Sequence, residues 1–177
     1  MKRIMLTVLL AFILTMSVPF AVSAQANRIY FTAVEYDCFT GMGSEPWMEG
    51  NVMHMRDVYH VNVDVSDVPE FNGLNSTIAD AEFNMHTGGA VIRGTLSFQP
   101  EGIAGTWEGT WIFVGNKGKG TAQAVAHGTG ALVGRTLFLK LYDAAPDDPR
   151  YANLPAICAG IGEPEGIVIA EGYILEP

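Results

Sequence analysis

The chain has 177 residues and a formal net charge of −9, from 10 basic and 19 acidic side chains. This acidic balance disfavours phosphate backbones and anionic lipid surfaces as partners, so we expect no nucleic acid to bind. Hydrophobic residues make up 49% of the chain. That content and length suit one globular domain with a sizeable core.

The N-terminal segment has the pattern of a secretory signal peptide. Two basic residues precede an apolar run over 4–16, and small residues around Ala24 fit a cleavage site. The run is shorter than the roughly 20 residues that a membrane-spanning helix needs. We predict a signal peptide over 1–24 and a single domain over 25–177, secreted or periplasmic, with no membrane span after cleavage. An uncleaved anchor is the alternative.

The rest of the chain has the pattern of an antiparallel sheet. Alternating runs rich in β-branched and aromatic residues are separated by glycine, proline and asparagine. The pattern predicts strands over 27–35, 51–65, 78–87, 90–99, 106–114, 119–127, 131–142 and 166–175. A two-residue turn at Gly88-Gly89 would place Met85 opposite Ile92 and Ala81 opposite Leu96.

Two cysteines, Cys38 and Cys158, lie far apart in the chain. In an exported protein an even pair indicates a disulfide. Two buried free thiols are the alternative. A metal pair is disfavoured, because neither cysteine has a second ligand at short spacing.

The glycine-rich stretch over 105–134 is predicted to be a bent hairpin. A phosphate-binding loop would lead into a helix, whereas here the glycines lead into an alternating run. One face of the first strand carries Trp107, Gly109, Trp111 and Phe113, and the facing strand offers Ala122, Ala124 and Ala126. A sheet that bends this strongly tends to close. We therefore predict an all-β, antiparallel up-and-down β-barrel of about eight strands.

Two long loops, over 36–50 and 143–165, are predicted to lie at one end of this barrel, because hairpin turns alternate between the two ends. Loops of this length are uncommon in compact domains unless they are functional. Cys38 and Cys158 would tie the loops together as a cap over one mouth of the barrel.

The strand–turn–strand segment GTAQAVAHGTGALVGRTLFLKLY resembles the glycine-rich turn of the allene oxide cyclase and dirigent-like barrels. Its matching residues are Gly128, Gly130, Leu132 and Gly134. The resemblance covers about 25 residues and implies an eight-stranded barrel that forms a homo-oligomer, a trimer or a dimer. Gly105-Thr106-Trp107 and Gly109-Thr110-Trp111 are more distantly similar to the G-x-W motif of lipocalins and avidins, which lies near the start of those domains. No catalytic residue carries over from either family.

Aromatic side chains supply the candidate ligand site. Barrels of this size either bind one small apolar molecule or are filled by their own side chains, and both alternatives stay open. The candidate cavity residues are Trp47, Tyr59, Phe98, Trp107, Trp111 and Phe113.

Titratable side chains give no compact catalytic or metal-binding motif. His54 and His60 are predicted to share a face of one strand, but their spacing is not that of a metal site. No nucleophile motif occurs, and no cofactor or metal is predicted. We expect a binding module for a small apolar ligand. The alternatives are a cyclase-like barrel enzyme that acts through a shaped apolar cavity, and a structural envelope protein.

Overall fold

The structure, a computed structural model, describes residues 27–177, so the predicted signal peptide lies outside the described residues. The strands of this described part are β1 (Arg28–Met42), β2 (Trp47–Glu49), β3 (Val52–Ser66), β4 (Gly73–Asn84), β5 (Gly89–Pro100), β6 (Trp107–Asn116), β7 (Lys119–Gly128), β8 (Thr136–Asp143) and β9 (Glu163–Leu175). Helical structure in the same residues comprises α1 (Leu154–Cys158) and 3-10 turns at Pro69–Phe71, Gly130–Leu132 and Pro149–Ala152. The predicted all-β class is confirmed.

The sheet closes on itself. Neighbouring strands pair antiparallel in the order β1-β9-β8-β7-β6-β5-β4-β3, and β1 pairs again with β3. Within the described chain these eight strands form a barrel, and β2 is an extra strand on the edge of β3. Closure satisfies the backbone groups that an open sheet would expose. The predicted eight-stranded antiparallel barrel is confirmed.

The connections between strands alternate between two ends of the barrel. The upper end carries the connections at 43–51, 85–88, 117–118 and 144–162. The lower end carries those at 67–72, 101–106 and 129–135. The two predicted long loops therefore do share one end. The loop predicted over 36–50 is shorter than expected, because β1 continues to Met42. As far as Phe39, β1 pairs with β3 on one side and with β9 on the other.

The β4–β5 register differs from the predicted one. Ala81 pairs with Ile92 instead of Leu96, because the turn has four residues, 85–88, rather than two. The side chain of Asn84 stabilises this longer turn: its Oδ1 accepts hydrogen bonds from the backbone N–H groups of residues 86 and 87. The shift is even, so the same side chains still face the interior.

The β6–β7 hairpin has the predicted arrangement. Trp111 pairs with Ala124 and Phe113 with Ala122, so each large ring faces a small side chain across the hairpin. A Cβ added at Gly120 would lie 2.3 Å from the Phe113 ring. Glycine is therefore required there for the ring to lie against the strand.

A bulge in β3 reverses which side chains face the interior. The register shifts between Met55 and Val58, and Asp57 adopts a φ of 50°. Odd-numbered residues face inward before the bulge and even-numbered residues after it. The prediction that His54 and His60 share a face is therefore wrong: His54 lies on the outer face and His60 inside.

The predicted disulfide between Cys38 and Cys158 is present, but it does not cap the mouth. Cys38 lies on the outer face of β1, where it joins a buried cluster with Tyr36, Leu154 and Ile167. The disulfide thus fastens α1 against the outside of the barrel over β1 and β9. The predicted cap is wrong because β1 continues past Cys38 as a strand.

Candidate functional site: the barrel interior

The lower part of the interior, here called the closed half, is filled by large apolar side chains. Trp107 and Phe98 are 0% exposed, and Phe71 enters from the β3–β4 connection. The Phe71 ring lies 4.8 Å from the rings of both Phe31 and Phe98. The Trp107 Nε1–H donates to the backbone carbonyl of Glu70 at 2.8 Å. The closed half has the packing of a hydrophobic core.

The interior is different toward the upper end. Side chains that face inward there are apolar but only partly buried, and they form what we call the open half: Met53, Met55, Phe83, Ile92, Trp111 and Phe113. Their partial exposure shows that solvent reaches the interior from this end. The Nε1 atom of Trp111 is buried and has no hydrogen-bond partner within residues 27–177. It packs against Gly94, where an added Cβ would lie 2.6 Å from it.

The predicted cavity residues are divided among three places. Phe98 and Trp107 lie in the closed half, whereas Trp111 and Phe113 lie in the open half. Trp47 and Tyr59 lie on the outer face, where they are 42% and 37% exposed.

Trp47 takes part in a polar surface cluster rather than in the interior. Its indole stacks on the ring of His54 with the centroids 5.1 Å apart, and the Arg56 guanidinium lies over it at 5.4 Å. Arg56 also donates to Glu82 at 3.2 Å. Such contacts are typical of cation–π and ion-pair packing on an exposed sheet face.

Three neighbouring strands, β1, β3 and β4, line one side of the interior with polar groups. We call this side the acidic wall, and with Glu165 from β9 it comprises Glu35, Asp37, His60, Asn62, Asp64, Asn75, Thr77 and Glu165. The register brings its members together: Glu35 pairs with Asp64, and Asn62 pairs with Asp37 on one side and Asn75 on the other.

The centre of the acidic wall is the pair Glu35 and Asp64, which are 6% and 1% exposed. Burial raises the pKa of Asp64 to about 8. Burial also raises the pKa of Glu35 well above its usual value, and the nearby Asp64 raises it further. Two buried carboxyls this close cannot both ionise readily. The pair therefore holds at least one proton at neutral pH: Glu35 is protonated, and Asp64, with a pKa of about 8, is for the most part protonated as well.

Asn62 connects this pair to its surroundings. Its Nδ2 donates to Glu35 Oε1 at 3.1 Å, while its Oδ1 finds no donor in the described chain. The Oδ1 of Asn75 and both carboxyl oxygens of Asp64 likewise receive no N–H or hydroxyl hydrogen bond from residues 27–177. The wall thus presents more acceptors than donors.

An ion pair lies nearer the upper end of the wall. His60 Nε2 is 2.6 Å from Glu165 Oε2. Burial lowers the pKa of His60, but the hydrogen bond to Glu165 and the charges of Glu165 and Asp37 outweigh it, so the pKa is raised. The same bond lowers the pKa of Glu165. Burial, followed by the charge of Glu35, raises the pKa of Asp37 well above its usual value.

Sequence reasoning did not find the acidic wall. In β3, Asn62 and Asp64 alternate with Val61, Val63 and Val65, and the usual rule for a half-buried strand places the valines inside. The structure shows the reverse, with Val65 50% exposed. The one available signal was the polar side chains at 35, 37, 60, 62 and 64, which alternate along two strands that closure brings together.

The chemistry available to this wall is that of acids and hydrogen-bond acceptors. A carboxyl that stays protonated at neutral pH can donate a proton or a hydrogen bond. Across residues 27–177, no group of three or more His, Cys, Asp or Glu side chains is arranged so that it could hold a metal ion.

Comparisons with known proteins assign no function to this site. A scan against protein-family models, a search of curated proteins and a search of solved structures each find no match. In the part of the chain that the structure covers, no helix is long and apolar enough to cross a membrane.

Proposed function

We propose that this protein binds a small, largely apolar molecule in the open half of its barrel. One observation carries the proposal: interior side chains of the open half meet solvent, while those of the closed half are fully buried. Barrels of about eight strands have room for one small ligand when their own side chains leave part of the interior free.

Trp111 and Phe113 are the proposed ligand-binding residues among the sequence candidates. Both face inward and both are partly exposed. Their rings supply apolar contact. A predominantly apolar lining with a few polar groups is the usual composition of a small-molecule site.

Export to the periplasm or the extracellular space belongs to the same proposal. The buried disulfide between Cys38 and Cys158 suits an oxidising compartment. The N-terminal sequence pattern, which lies outside the described residues, supports it independently. Assembly of the barrel into dimers or trimers stays a prediction.

A second candidate function is a cyclase-like enzyme, and the acidic wall is the observation that favours it. Glu35 and Asp37 lie in the same barrel as the apolar open half, and burial raises the pKa of each. A protonated carboxyl beside a bound apolar substrate is a general acid. This alternative agrees with the resemblance to the allene oxide cyclase and dirigent-like barrels.

Binding of the neutral apolar dye N-phenyl-1-naphthylamine tests the first proposal. We expect saturable binding with a rise in dye fluorescence. Phe113→Ala should weaken it by about tenfold, since loss of contact with one aromatic ring costs about 1.5 kcal/mol.

Ile112→Ala is the matched control, because Ile112 is the neighbouring residue on the outer face and is 39% exposed. Equal losses in the two variants, or dye binding that never saturates, would refute a site in the open half.

A further inference from the structure

We propose that the ligand is an amine, and that the acidic wall receives its ammonium group while its apolar body lies against the open half. This inference rests on the function proposed above and adds the chemical class of the ligand.

The hydrogen-bonding groups of the acidic wall are unbalanced. Asn62 and Asn75 are 3% and 5% exposed, and each has an Oδ1 without a donor among the described residues. Asp64 adds two carboxyl oxygens in the same situation, of which the protonated Glu35 can satisfy one. Buried acceptors without partners are costly. An ammonium group is a compact source of three donors and no acceptor.

The charges of the acidic wall are unbalanced as well. The wall has four carboxyls, Glu35, Asp37, Asp64 and Glu165, and one basic side chain, His60, which pairs with Glu165. The charge of His60 also acts on Asp37. No cation of the described chain acts on Glu35 or Asp64, the two innermost carboxyls. A ligand that brings a positive charge would replace the proton they now hold.

The acidic wall and the open half follow one another along the same strand. Along β3, the interior positions run from Asp64 and Asn62 through His60 and the buried Val58 to Met55 and Met53 beyond the bulge. A ligand seated on the methionines and the rings of the open half thus has the polar positions next along the same strand. That order of surfaces matches a molecule with a cationic head and an apolar body.

Binding of an ammonium group has a defined proton balance. The amine arrives protonated, one carboxyl of the wall ionises to receive it, and that carboxyl's proton passes to the solvent. Affinity should therefore rise with pH up to the range where Asp64, whose pKa is about 8, has ionised. The titratable groups that face this position are Glu35 and Asp37 on β1, His60 and Asp64 on β3, and Glu165 on β9.

Calorimetric titration with matched probe pairs tests the inference. The pairs are 2-phenylethylamine with 2-phenylethanol, and octylamine with octanol, which differ only in the polar head. At pH 8 the amine of at least one pair should bind about tenfold or more tightly than its alcohol, as expected for charge-assisted hydrogen bonds. Repeating the titration at pH 7 in buffers of different ionisation enthalpy should show proton release.

Isosteric variants locate the effect. Glu35→Gln combined with Asp64→Asn should reduce the preference for the amine to about twofold or less and abolish proton release. Glu108→Gln removes an exposed carboxyl from the outer face of β6 and should change neither. Far-ultraviolet circular dichroism checks that each variant is folded.

The outcomes separate the two proposals. If amine and alcohol bind equally, the amine inference is overturned and the apolar site stands. If no member of either pair binds, both fail. Calcium that displaces the amine from the wild-type protein but not from the double variant would reassign the wall to a metal ion and overturn the inference.

Discussion

The closed half and the centre of the acidic wall are buried to a similar degree, but burial has opposite consequences in them. Trp107 and Phe98 are 0% exposed, while Asp64 and Asn62 are 1% and 3% exposed. In the closed half, burial removes apolar surface from water and stabilises the fold. In the acidic wall, burial strips water from carboxyls and amides, which destabilises the fold unless partners replace that water. The closed half therefore stabilises the barrel, whereas the acidic wall provides its buried polar groups.

Removing the disulfide should have the largest effect and should act mainly on the acidic wall. The bond joins residues separated by 120 positions, and it anchors β1, which carries Glu35 and Asp37. Cys38→Ser with Cys158→Ser should lower the free energy of unfolding by about 4–5 kcal/mol in a chain-entropy estimate. Hydrogen exchange should accelerate in β1 more than in the β6–β7 hairpin. Equal acceleration of exchange in β1 and in the β6–β7 hairpin would contradict the expectation that the disulfide acts mainly on the acidic wall.

Truncating Trp107 tests the closed half. Trp107→Ala should cost about 3–5 kcal/mol in unfolding free energy, because it empties a packed site and leaves the Glu70 carbonyl without its donor. Glu108→Ala, one residue along on the outer face, is the control and should cost about 0.5 kcal/mol or less. Similar shifts in urea midpoint for the two variants would show that Trp107 and Glu108 do not lie on the inner and outer faces of β6 as described.

The acidic wall should make stability fall as pH rises. Glu35, Asp37 and Asp64 have raised pKa values in the folded protein, so the folded state binds more protons between about pH 4 and about pH 8. The raised pKa of His60 acts in the same direction above its ordinary value. The lowered pKa of Glu165 acts in the opposite direction, and only at the acidic end of the range.

Asp64→Asn should flatten this decline, since each such group contributes at most about 1.4 kcal/mol per pH unit. Urea denaturation across the range measures it. A midpoint that rises with pH in the wild type, or an unchanged slope in the variant, would count against the description of the wall.

Trp111 should be less important for stability than Trp107. It lies in the open half and is partly exposed, so less apolar surface returns to water when it is truncated. We expect Trp111→Ala to cost about 1–2 kcal/mol, together with weaker dye binding. A loss as large as that of Trp107→Ala, without any change in dye binding, would mean that the open half is part of the core.

The barrel could be predicted from the sequence because its signals are local. Turn glycines, alternating runs and the pairing of Trp111 and Phe113 with alanines each depend on residues close in the chain. The β4–β5 register could not be predicted, since it depends on the hydrogen bonds of the Asn84 side chain to the following turn. The outward position of Tyr59 depends on the bulge in β3, which no residue type specified.

The acidic wall could not be predicted because it depends on closure. Glu35 and Asp64 become neighbours only when β1 pairs with β3. The outward face of β1 is buried as well, under α1 and the disulfide, so Tyr36 and Cys38 are as well covered as residues inside the barrel. A strand buried on both faces does not show the simple alternation that identifies a half-buried one.

The protonation of Asp64 is the most direct test of the central claim that a buried acidic wall lines one side of the barrel. Carbon-13 NMR can follow each side-chain carboxyl through a pH titration, with Asp64→Asn used to assign the Asp64 signal. If Asp64 is buried as described, its signal should titrate with a midpoint of about 8, well above the exposed carboxyls. A midpoint near the ordinary value of about 4 would mean that water or a compensating charge reaches Asp64, and would contradict the account.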